Sequence, residues 1–425
     1  MRAEILTVGD EILIGDVVNG NAAWLGRELT AAGVAVGRSA VVGDTLEAIS
    51  GALAAALAAA DVVIVTGGLG STSDDLTRDA LAALAGVPLV RDEALAGLIR
   101  DRLERAGMRP RPMPLRMADV PEGATMLPNP AGTAPGLRME LPGGTVYALP
   151  GVPGEMKAIM AASVLPELAD GDAAPAVLTL RTAGVWETVL AARLAPLEER
   201  KDVSLAFLPE PSEVAVRITA DSRPALDEAV LQARELLGAV MYGTGEQSLA
   251  SVVHELLAAR EHTVAVAESL TGGLLGAELT YVPGSSETFA GGVTAYETRL
   301  KHELLGVSAS LLEERGAVDP EVAVQMAEGA RERLGAVYGL GVTGVAGPGS
   351  QDGKSVGTVH IGISGPRGSR SFTPVLPLPP DLTQARANIR RMTVVQALDL
   401  LRHEILGVAM IRRWEEDQED REGLT

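Results

Sequence analysis

Short apolar runs alternate with longer stretches rich in alanine and leucine over the first 170 residues of the chain. The pattern predicts strands at 4–8, 34–42 and 61–66 and helices at 22–32 and 46–60. Strands that follow one another through helical crossovers form parallel sheets, and the helices cover the faces of those sheets. We therefore expect residues 1–170 to form a three-layer α/β domain with a mostly parallel sheet.

Two further domains are predicted beyond a linker-like segment at 169–175. Residues 171–245 show the order strand, helix, strand, strand, helix, which is typical of a small α+β domain. Residues 246–412 return to alternating strands and helices, and residues 413–425 form an acidic tail. The expected fold class is α/β, with two three-layer domains that have mostly parallel sheets and are joined by a small α+β domain.

Composition narrows the classes of function. The 425 residues are 47% hydrophobic and 22% charged, carry a net charge of −20 and include no cysteine. The lack of cysteine excludes disulfides and thiolate chemistry, and an acidic chain without a basic stripe is poorly suited to bind nucleic acid. Neither a secretory signal nor a membrane span is predicted from the apolar runs. We expect a cytoplasmic protein that binds neither membranes nor nucleic acid.

The segment around Ser269 carries the strongest chemical signal. The apolar run 263–267 predicts a buried strand, and a glycine-rich stretch then opens a predicted helix. Ser269 is thus predicted at a strand-to-helix turn, where its hydroxyl is exposed and backbone N–H groups are free to hold an anion. A second strand, predicted at 291–296, ends at Tyr296, and Lys301 follows at the start of another helix. This order predicts a serine nucleophile with a lysine base.

Lysine is rare in this chain, which makes Lys301 informative. Of the 36 lysine and arginine residues, only four are lysines: 157, 201, 301 and 354. Arginine keeps its proton in proteins, whereas a partly buried lysine can lose it. A lysine that follows the Ser269 turn is therefore a candidate general base, although single lysines also persist by chance.

A glycine-rich loop at 66–75 follows a predicted strand of the first domain. Ligands of open α/β sheets bind at the carboxyl ends of strands, and glycines allow the backbone to approach a phosphate. The glycines in question are Gly67, Gly68 and Gly70. Asp74 and Asp75 offer oxygen ligands for Mg²⁺ or Mn²⁺. A tight turn followed by acidic residues that favour a helix N-terminus explains the same pattern equally well.

Other loops of this domain have similar chemistry. Glu11 and Asn19 follow the first strand, and three of the four asparagines in the chain lie in loops of this kind. The further candidates are Asn129, Gly132, Thr133, Gly151 and Glu155. Small residues beside amides and carboxylates suit the binding of a nucleotide phosphate. Together with the glycine-rich loop, they predict a phosphate or nucleotide site.

These blocks resemble the competence/damage-inducible protein CinA family. Residues 5–15, 67–75, 132–136 and 149–156 resemble the molybdopterin-binding-like domain of that family. The blocks that resemble its C-terminal nicotinamide-nucleotide amidase domain are the Ser269 segment, Gly284–Ser286, Tyr296, Lys301 and 342–348. The middle segment resembles a KH-like domain, although it lacks a Gly-x-x-Gly clamp for RNA. The resemblance covers essentially the whole chain except the tail.

The resemblance implies two activities and a homodimer. It implies that the C-terminal domain deamidates nicotinamide mononucleotide (NMN) to nicotinate mononucleotide and ammonia, without a cofactor. It implies that the N-terminal domain hydrolyses ADP-ribose with a divalent metal (Mg, Mn, Co or Ni), and Asp74 and Asp75 are the candidate ligands. In the amidase site, Ser269 is the implied nucleophile, Lys301 the base and Tyr296 an orienting group. The implied substrate-binding residues are Thr271, Gly272, Gly273, Ser285, Ser286, Thr343, Gly344, Ala346, Gly347 and Arg386.

The chain also departs from the family pattern. Ser71 and the segment 113–118 replace residues that are usual in the N-terminal site, so a nucleotide- or pterin-binding module without turnover is an alternative for that domain. Asp319 and the loop 349–354 differ in the amidase domain but leave Ser269 in place. Two more alternatives stay open. Ser269 could bind only the phosphate while a lysine-activated water attacks, and the protein could serve DNA uptake, which its acidic charge disfavours.

Overall fold

The computed structural model describes residues 1–105, 107, 115–169, 176–378, 381–382 and 385–409. The chain divides into two compact units, Met1–Ala176 and Val177–Thr425. Most of the linker predicted at 169–175, the first two residues of the altered segment 113–118, and the whole predicted tail lie outside the described residues.

The first unit is built on a six-stranded sheet in the order β2-β1-β3-β8-β7-β6, beside a two-stranded ribbon of β4 and β5. Its strands are β1 (Arg2–Val8), β2 (Ala35–Val42), β3 (Val62–Thr66), β4 (Leu89–Arg91), β5 (Asp119–Pro121), β6 (Thr125–Leu127), β7 (Gly136–Leu141) and β8 (Gly144–Leu149). Its helices are α1 (Asp10–Leu13), α2 (Gly20–Ala31), α3 (Leu46–Leu57), α4 (Thr77–Ala85), α5 (Glu93–Arg105), α6 (Pro153–Ile159) and α7 (Leu165–Leu168). A 3-10 turn, Arg116–Ala118, and a π-helical turn, Met160–Val164, complete the unit.

Helices cover both faces of this sheet. Strands β2, β1, β3 and β8 run parallel, and β7 and β6 add an antiparallel edge. Because side chains alternate along a strand, Val63 and Val65 pack with Leu53 of α3, whereas Ile64 packs with Leu25 of α2. The carboxyl ends of β1, β3 and β8 therefore meet at one edge, which we call the first loop edge.

The second unit begins with a small antiparallel sheet in the order β10-β11-β9-β12. Its elements are β9 (Ala176–Ala183), α8 (Glu187–Glu198), β10 (Val203–Glu210), β11 (Glu213–Ala220), α9 (Arg223–Leu237) and β12 (Met241–Thr244), with a 3-10 turn at Gly238–Val240. This order matches the small α+β pattern predicted from the sequence.

A five-stranded sheet in the order β14-β13-β15-β16-β17 forms the rest of the second unit. Its strands are β13 (Val264–Glu268), β14 (Phe289–Thr294), β15 (Tyr338–Gly344), β16 (Val359–Gly365) and β17 (Gly368–Phe372). Its helices are α10 (Leu249–Ala258), α11 (Leu274–Tyr281), α12 (Thr298–Leu305), α13 (Ala309–Arg315), α14 (Pro320–Leu334) and α15 (Ala385–Leu406), with a 3-10 turn at Ser285–Glu287.

This sheet is also covered on both faces. Val264 and Val266 share a core with residues of α10, α11 and α15, whereas Ala265 and Ala267 share another with Leu305 of α12 and residues of α14. Strands β14, β13 and β15 are parallel, so their carboxyl ends meet at one edge, the second loop edge. The predicted α/β fold class is confirmed.

Two predicted boundaries differ from the structure around the Ser269 turn. Helix α11 begins at Leu274 because Gly272 and Gly273 have φ angles of +60° and +95°, which a helix does not permit. Strand β14 ends at Thr294, so Tyr296 lies in the loop that follows it.

Within the described residues, no helix combines the length and the apolar character that crossing a membrane requires.

Candidate active site

Ser269 lies directly after the central strand of the five-stranded sheet. Its backbone N–H donates to the carbonyl of Val342 on β15 at 3.0 Å, so the ladder continues one residue past β13. The N–H of Gly272 then returns to the Ser269 carbonyl at 3.1 Å and closes the turn. By the alternation of the strand, Ser269 continues the face of Ala265 and Ala267, which is the face that α12 covers.

Glu268 stabilises this turn from the protein interior. The sequence analysis did not identify it as a candidate site residue. Its carboxylate is 2% exposed and accepts hydrogen bonds from the backbone N–H groups of Gly273 (2.9 Å), Leu275 (3.1 Å) and Gly276 (2.8 Å). These are donors of the first turn of α11, and their positive end compensates a buried carboxylate. The N–H of Gly273 is therefore not free for a substrate, contrary to our expectation.

Two donors nearer to the serine are left without a partner. Among the hydrogen bonds of the described residues, the backbone N–H groups of Leu270 and Thr271 donate to no acceptor. The hydroxyl of Thr271, a fully buried residue, has no partner either. Buried polar groups are nearly always paired, so a set of unpaired donors next to a candidate nucleophile indicates a binding function.

Lys301 lies on α12 and is 1% exposed. Its Nζ donates to the carbonyls of Ala295 (2.8 Å) and Tyr296 (3.2 Å), the two residues that follow β14. The N–H of Ala295 in turn donates to the Glu268 carbonyl at 2.9 Å. Burial lowers the pKa of Lys301 to about 8, which brings a neutral amine within reach near physiological pH.

The hydroxyl of Tyr296 does not bind Lys301, contrary to the orienting role that we expected for it. It is 58% exposed, and its hydroxyl accepts a hydrogen bond from Nη2 of Arg386 at 3.0 Å. Lys301 binds the backbone carbonyl of Tyr296 rather than the hydroxyl. Nη1 of Arg386 donates to the carbonyl of Gly347 at 2.7 Å. The structure thus joins the loops after β14 and β15 through Arg386 of α15.

A second arginine on α15, also missed from the sequence, contacts the serine turn. Nη2 of Arg390 donates to the carbonyl of Thr271 at 2.6 Å. Arg386 and Arg390 are four residues apart, which places them on one face of the helix. That spacing is the one signal in the sequence that could have identified Arg390.

Three other predicted residues lie at the second loop edge. Thr343 is buried, and its hydroxyl donates to the carbonyl of Ala317 at 2.7 Å, so it supports the fold here. Gly344 ends β15, and Ala346 is 5% exposed in the loop that follows. Asp319, which differs from the family pattern, caps α14 by accepting from the N–H of Glu321.

The structure does not bring Ser285 and Ser286 to this edge. Both precede β14, in the 3-10 turn Ser285–Glu287. Because β14 is parallel to β13, the start of β14 and the end of β13 lie at opposite edges of the sheet. The prediction that these two serines bind the substrate of the Ser269 site is therefore wrong for a single chain.

The first loop edge is held together by amide and hydroxyl groups. Asn19 caps α2 and donates to the hydroxyl of Thr7 at 3.0 Å. Asn21 donates to the hydroxyl of Thr66 (3.2 Å) and to the carbonyl of Gly151 (2.8 Å). These bonds connect the start of α2 to the ends of β1 and β3 and to the loop after β8. Glu11 lies exposed on α1.

The glycine-rich loop is fixed by its own side chains. Asp75 accepts from the N–H of Gly70, the N–H of Thr72 and the Thr72 hydroxyl, all within 2.8 Å. Arg78, 2% exposed, donates to the carbonyls of Leu69 and Gly70. A Cβ atom on Gly67 would lie 2.1 Å from the Val8 carbonyl oxygen and one on Gly68 2.3 Å from the Thr77 hydroxyl, so glycine is required at both.

The two predicted metal ligands have different partners in the structure. Both oxygens of Asp75 serve the loop, and Asp74 lies at the surface, where a hydrogen bond from Thr72 lowers its pKa. Among the described residues, no three His, Asp or Glu side chains are placed to hold a metal ion together. We therefore derive no step through a metal.

The remaining candidates of the first unit surround a second loop. Asn129 donates to the Glu155 carboxylate at 2.6 Å and to the Ala134 carbonyl at 2.7 Å. A Cβ atom on Gly132 would lie 1.9 Å from the Glu155 carboxyl carbon, so the loop packs directly on that carboxylate. A cavity of about 760 Å³ adjoins this loop. Its lining includes Leu95, Ile99, Met126, Gly132 and Thr133.

Comparisons with known proteins follow the same division of the chain. Family models match at 4–170 (probable molybdopterin binding domain), 178–243 (damage-inducible protein CinA KH domain) and 246–405 (CinA C-terminal domain). The CinA-like protein of Frankia casuarinae is 50% identical over 426 residues and covers 96% of this chain and 97% of its own length. That of Parasynechococcus marenigrum is 42% identical over 415 residues and covers 95% and 98%.

Among solved structures, the chain is similar to the protein CinA with unknown function from Thermoplasma acidophilum. The identity is 42% and the TM-score 0.36, and the match covers 38% of this chain and 94% of that one. Loop edges rich in glycine on two sheets, one of them with a serine and a buried lysine, define a multidomain α/β protein. The chain belongs to the CinA-like protein family.

Proposed function

We propose that the second unit is a nicotinamide-nucleotide amidase that converts NMN and water to nicotinate mononucleotide and ammonia. The observation that carries this proposal is Lys301, a buried lysine with a pKa of about 8, bonded to the residues that follow β14 beside the Ser269 turn. A neutral amine in that place is suited to accept a proton from a nucleophile at neutral to mildly alkaline pH.

In the proposed reaction, the Ser269 hydroxyl attacks the carboxamide carbon and Lys301 accepts its proton. The carbonyl oxygen becomes an oxyanion, for which the unpaired N–H groups of Leu270 and Thr271 are the available donors. The C–N bond then breaks, and the proton on Lys301 passes to the leaving amine, which departs as ammonia. Water hydrolyses the resulting ester by the same route and restores the serine.

The phosphate of a mononucleotide requires a separate cationic group. Glu268 neutralises the N-terminus of α11, so an anion is disfavoured there. Arg390 at the start of α15 contacts the same turn, and Arg386, one helical turn before it, binds the loops after β14 and β15. Both carry further N–H groups that can bind an anion. We assign the phosphate to these two arginines.

The test is ammonia release from NMN by the wild type, Ser269→Ala and Lys301→Arg. We expect activity only in the wild type, because Arg cannot act as a base. An inactive wild type, or full activity in both variants, contradicts the proposal. Mass spectrometry of the rapidly quenched enzyme separates the two attack routes, since an acyl-serine adds the mass of the acyl group to the protein, whereas direct attack by water adds nothing.

A second function is proposed for the first unit, which we infer binds a nucleotide at the first loop edge. The supporting observation is the pair of bonds from Asn21, which connect the start of α2 to the end of β3 and to the loop after β8, beside Gly67. Hydrolysis of ADP-ribose would make this site a pyrophosphatase. Incubation of ADP-ribose with Mg²⁺, Co²⁺ or no metal, with calorimetry in parallel, distinguishes turnover from binding alone.

A further inference from the structure

Glu268 is a buried acid that the proposed reaction does not use. Its carboxylate is 2% exposed, and its interactions within the described chain are three hydrogen bonds from backbone N–H groups, with no ion pair. A buried carboxylate without a cation is costly unless its oxygens are satisfied by donors. The first turn of α11 supplies those donors, so strand β13 and helix α11 are joined by one side chain.

This connection fixes both ends of the Ser269 turn. At the first end, the Glu268 carbonyl accepts from Ala295, and the Ser269 N–H donates to Val342. At the other end, the Glu268 carboxylate binds the N–H groups of residues 273, 275 and 276. Only the N–H groups of Leu270 and Thr271, between these ends, keep no acceptor.

We propose that Glu268 is a positioning residue that selects the donors of the oxyanion. By occupying the N–H groups of the α11 turn, it leaves those of Leu270 and Thr271 for the reacting carbonyl and holds Ser269 beside them. This inference rests on the proposed amidase function. Glu268 then makes no contact with the substrate, and its carboxylate affects the chemical step rather than substrate binding.

The experiment uses the full chain with Glu268→Ala and Glu268→Gln. We expect Glu268→Ala to lower kcat about 100-fold, the effect that a misplacement of about 1 Å can produce. KM for NMN stays within about threefold, because the arginines that bind the phosphate lie on α15. Glu268→Gln keeps the shape of the side chain but directs an amide N–H at a backbone N–H. Its kcat should therefore fall between those of the wild type and Glu268→Ala.

Acetate provides a readout that a merely structural role would not move. The Ala variant leaves room for a small carboxylate that can accept the three N–H groups. We expect acetate, and not chloride at equal ionic strength, to raise kcat of Glu268→Ala and also its Tm. Acetate should leave both quantities unchanged in the wild type.

Glu404→Ala is the matched control. Glu404 is equally buried in the same unit, but it pairs with Arg367 at 2.8 Å near the end of α15. This variant should lose stability while kcat and KM stay near wild type. Glu268→Ala with unchanged kcat, or without an acetate effect on kcat, would overturn the proposal. The effect of acetate on Tm does not depend on the amidase reaction, so an inactive wild type would contradict the proposed function and leave this test of the carboxylate standing.

Discussion

The two loop edges of this protein share a topology, but their polar groups have different partners. At each, three parallel strands end side by side and a glycine-rich turn follows one of them. At the first loop edge, Asn21, Asp75 and Arg78 satisfy the loops themselves. At the second, donors beside Ser269 stay unpaired and Lys301 is buried against carbonyls alone.

Under the two proposed functions, this difference separates a preformed binding surface from a reactive site. Loops that bind one another hold a fixed shape, which suits recognition of a ligand. Unpaired donors and a desolvated amine store unfavourable interactions that a reacting substrate can relieve. The sharpest tests of the comparison are therefore substitutions that should affect chemistry at one edge and only stability or binding at the other.

The largest expected effect is that of Ser269→Ala. If the serine is the nucleophile, its loss should lower kcat for NMN by about 10³-fold or more, because the covalent route is closed. The measurement is ammonia release under saturating NMN. Ser286→Ala is the control, since Ser286 lies at the opposite edge of the sheet and should keep wild-type activity. Equal loss in both variants would contradict the assignment.

Lys301 should account for the next largest effect, which can be measured both in the pH profile of kcat/KM and in the kcat of a variant. Its pKa of about 8 predicts that kcat/KM rises with pH and levels off above about pH 8, as the amine becomes neutral. Lys301→Met should lower kcat by roughly 10²- to 10⁴-fold, the range of general base catalysis. A pH profile that is flat between pH 6 and 9 would exclude Lys301 as the base.

The same pKa makes a prediction for stability. Between about pH 8 and the unfolded value of about 10.4, the unfolded chain binds a proton that the folded chain lacks, so stability rises with pH there. Below pH 8, the buried charge costs the fold up to about 3 kcal/mol. Relative to Lys301→Met, which has no titrating group at this position, the wild type should therefore gain stability between pH 7 and pH 10. Denaturant unfolding of both proteins at both pH values measures this gain, and a stability difference that is the same at pH 7 and pH 10 would contradict it.

The arginines of α15 should affect binding more than chemistry. Arg390→Ala removes a charge-assisted donor, so KM for NMN should rise about 10-fold or more with a smaller change in kcat. Nicotinamide riboside, which lacks the phosphate, should show no such difference between variant and wild type. Arg391→Ala is the matched control, because Arg391 is the next residue and pairs with Glu210 at 3.6 Å instead. A similar rise of KM in both variants would contradict the assignment of the phosphate to Arg390.

The fold could be predicted from the sequence for a physical reason. Apolar periodicity identifies strands and helices, and the carboxyl ends of parallel strands share an edge, so the turn at Ser269 and the loop after β14 that binds Lys301 could be expected at one edge. Gly272 and Gly273 were expected to open the helix, but they form the turn before it, because their φ angles are positive.

What the sequence did not provide is the choice of partner for each polar side chain. Arg390 binds a carbonyl 119 residues away, and Tyr296 binds an arginine 90 residues away, and nothing local encodes either contact. Ser285 was misplaced because a motif shows proximity along the chain but not which end of a strand it occupies. Glu268 was overlooked because, at the end of an apolar run, it resembles an ordinary strand terminus.

The smallest expected effect comes from a substitution at the first loop edge, which should leave the activity at the second loop edge unchanged. Asn21→Ala removes two hydrogen bonds between loops, at a cost of about 1–3 kcal/mol in the stability of the first unit. ADP-ribose binding should weaken, because the end of β3 and the loop after β8 lose their bonds to the start of α2, while ammonia release from NMN stays at the wild-type rate. Calorimetry with ADP-ribose and the amidase assay on one preparation measure both. If Asn21→Ala lowered amidase activity as much as ADP-ribose binding, the two edges could not be treated as separate sites with separate chemistry.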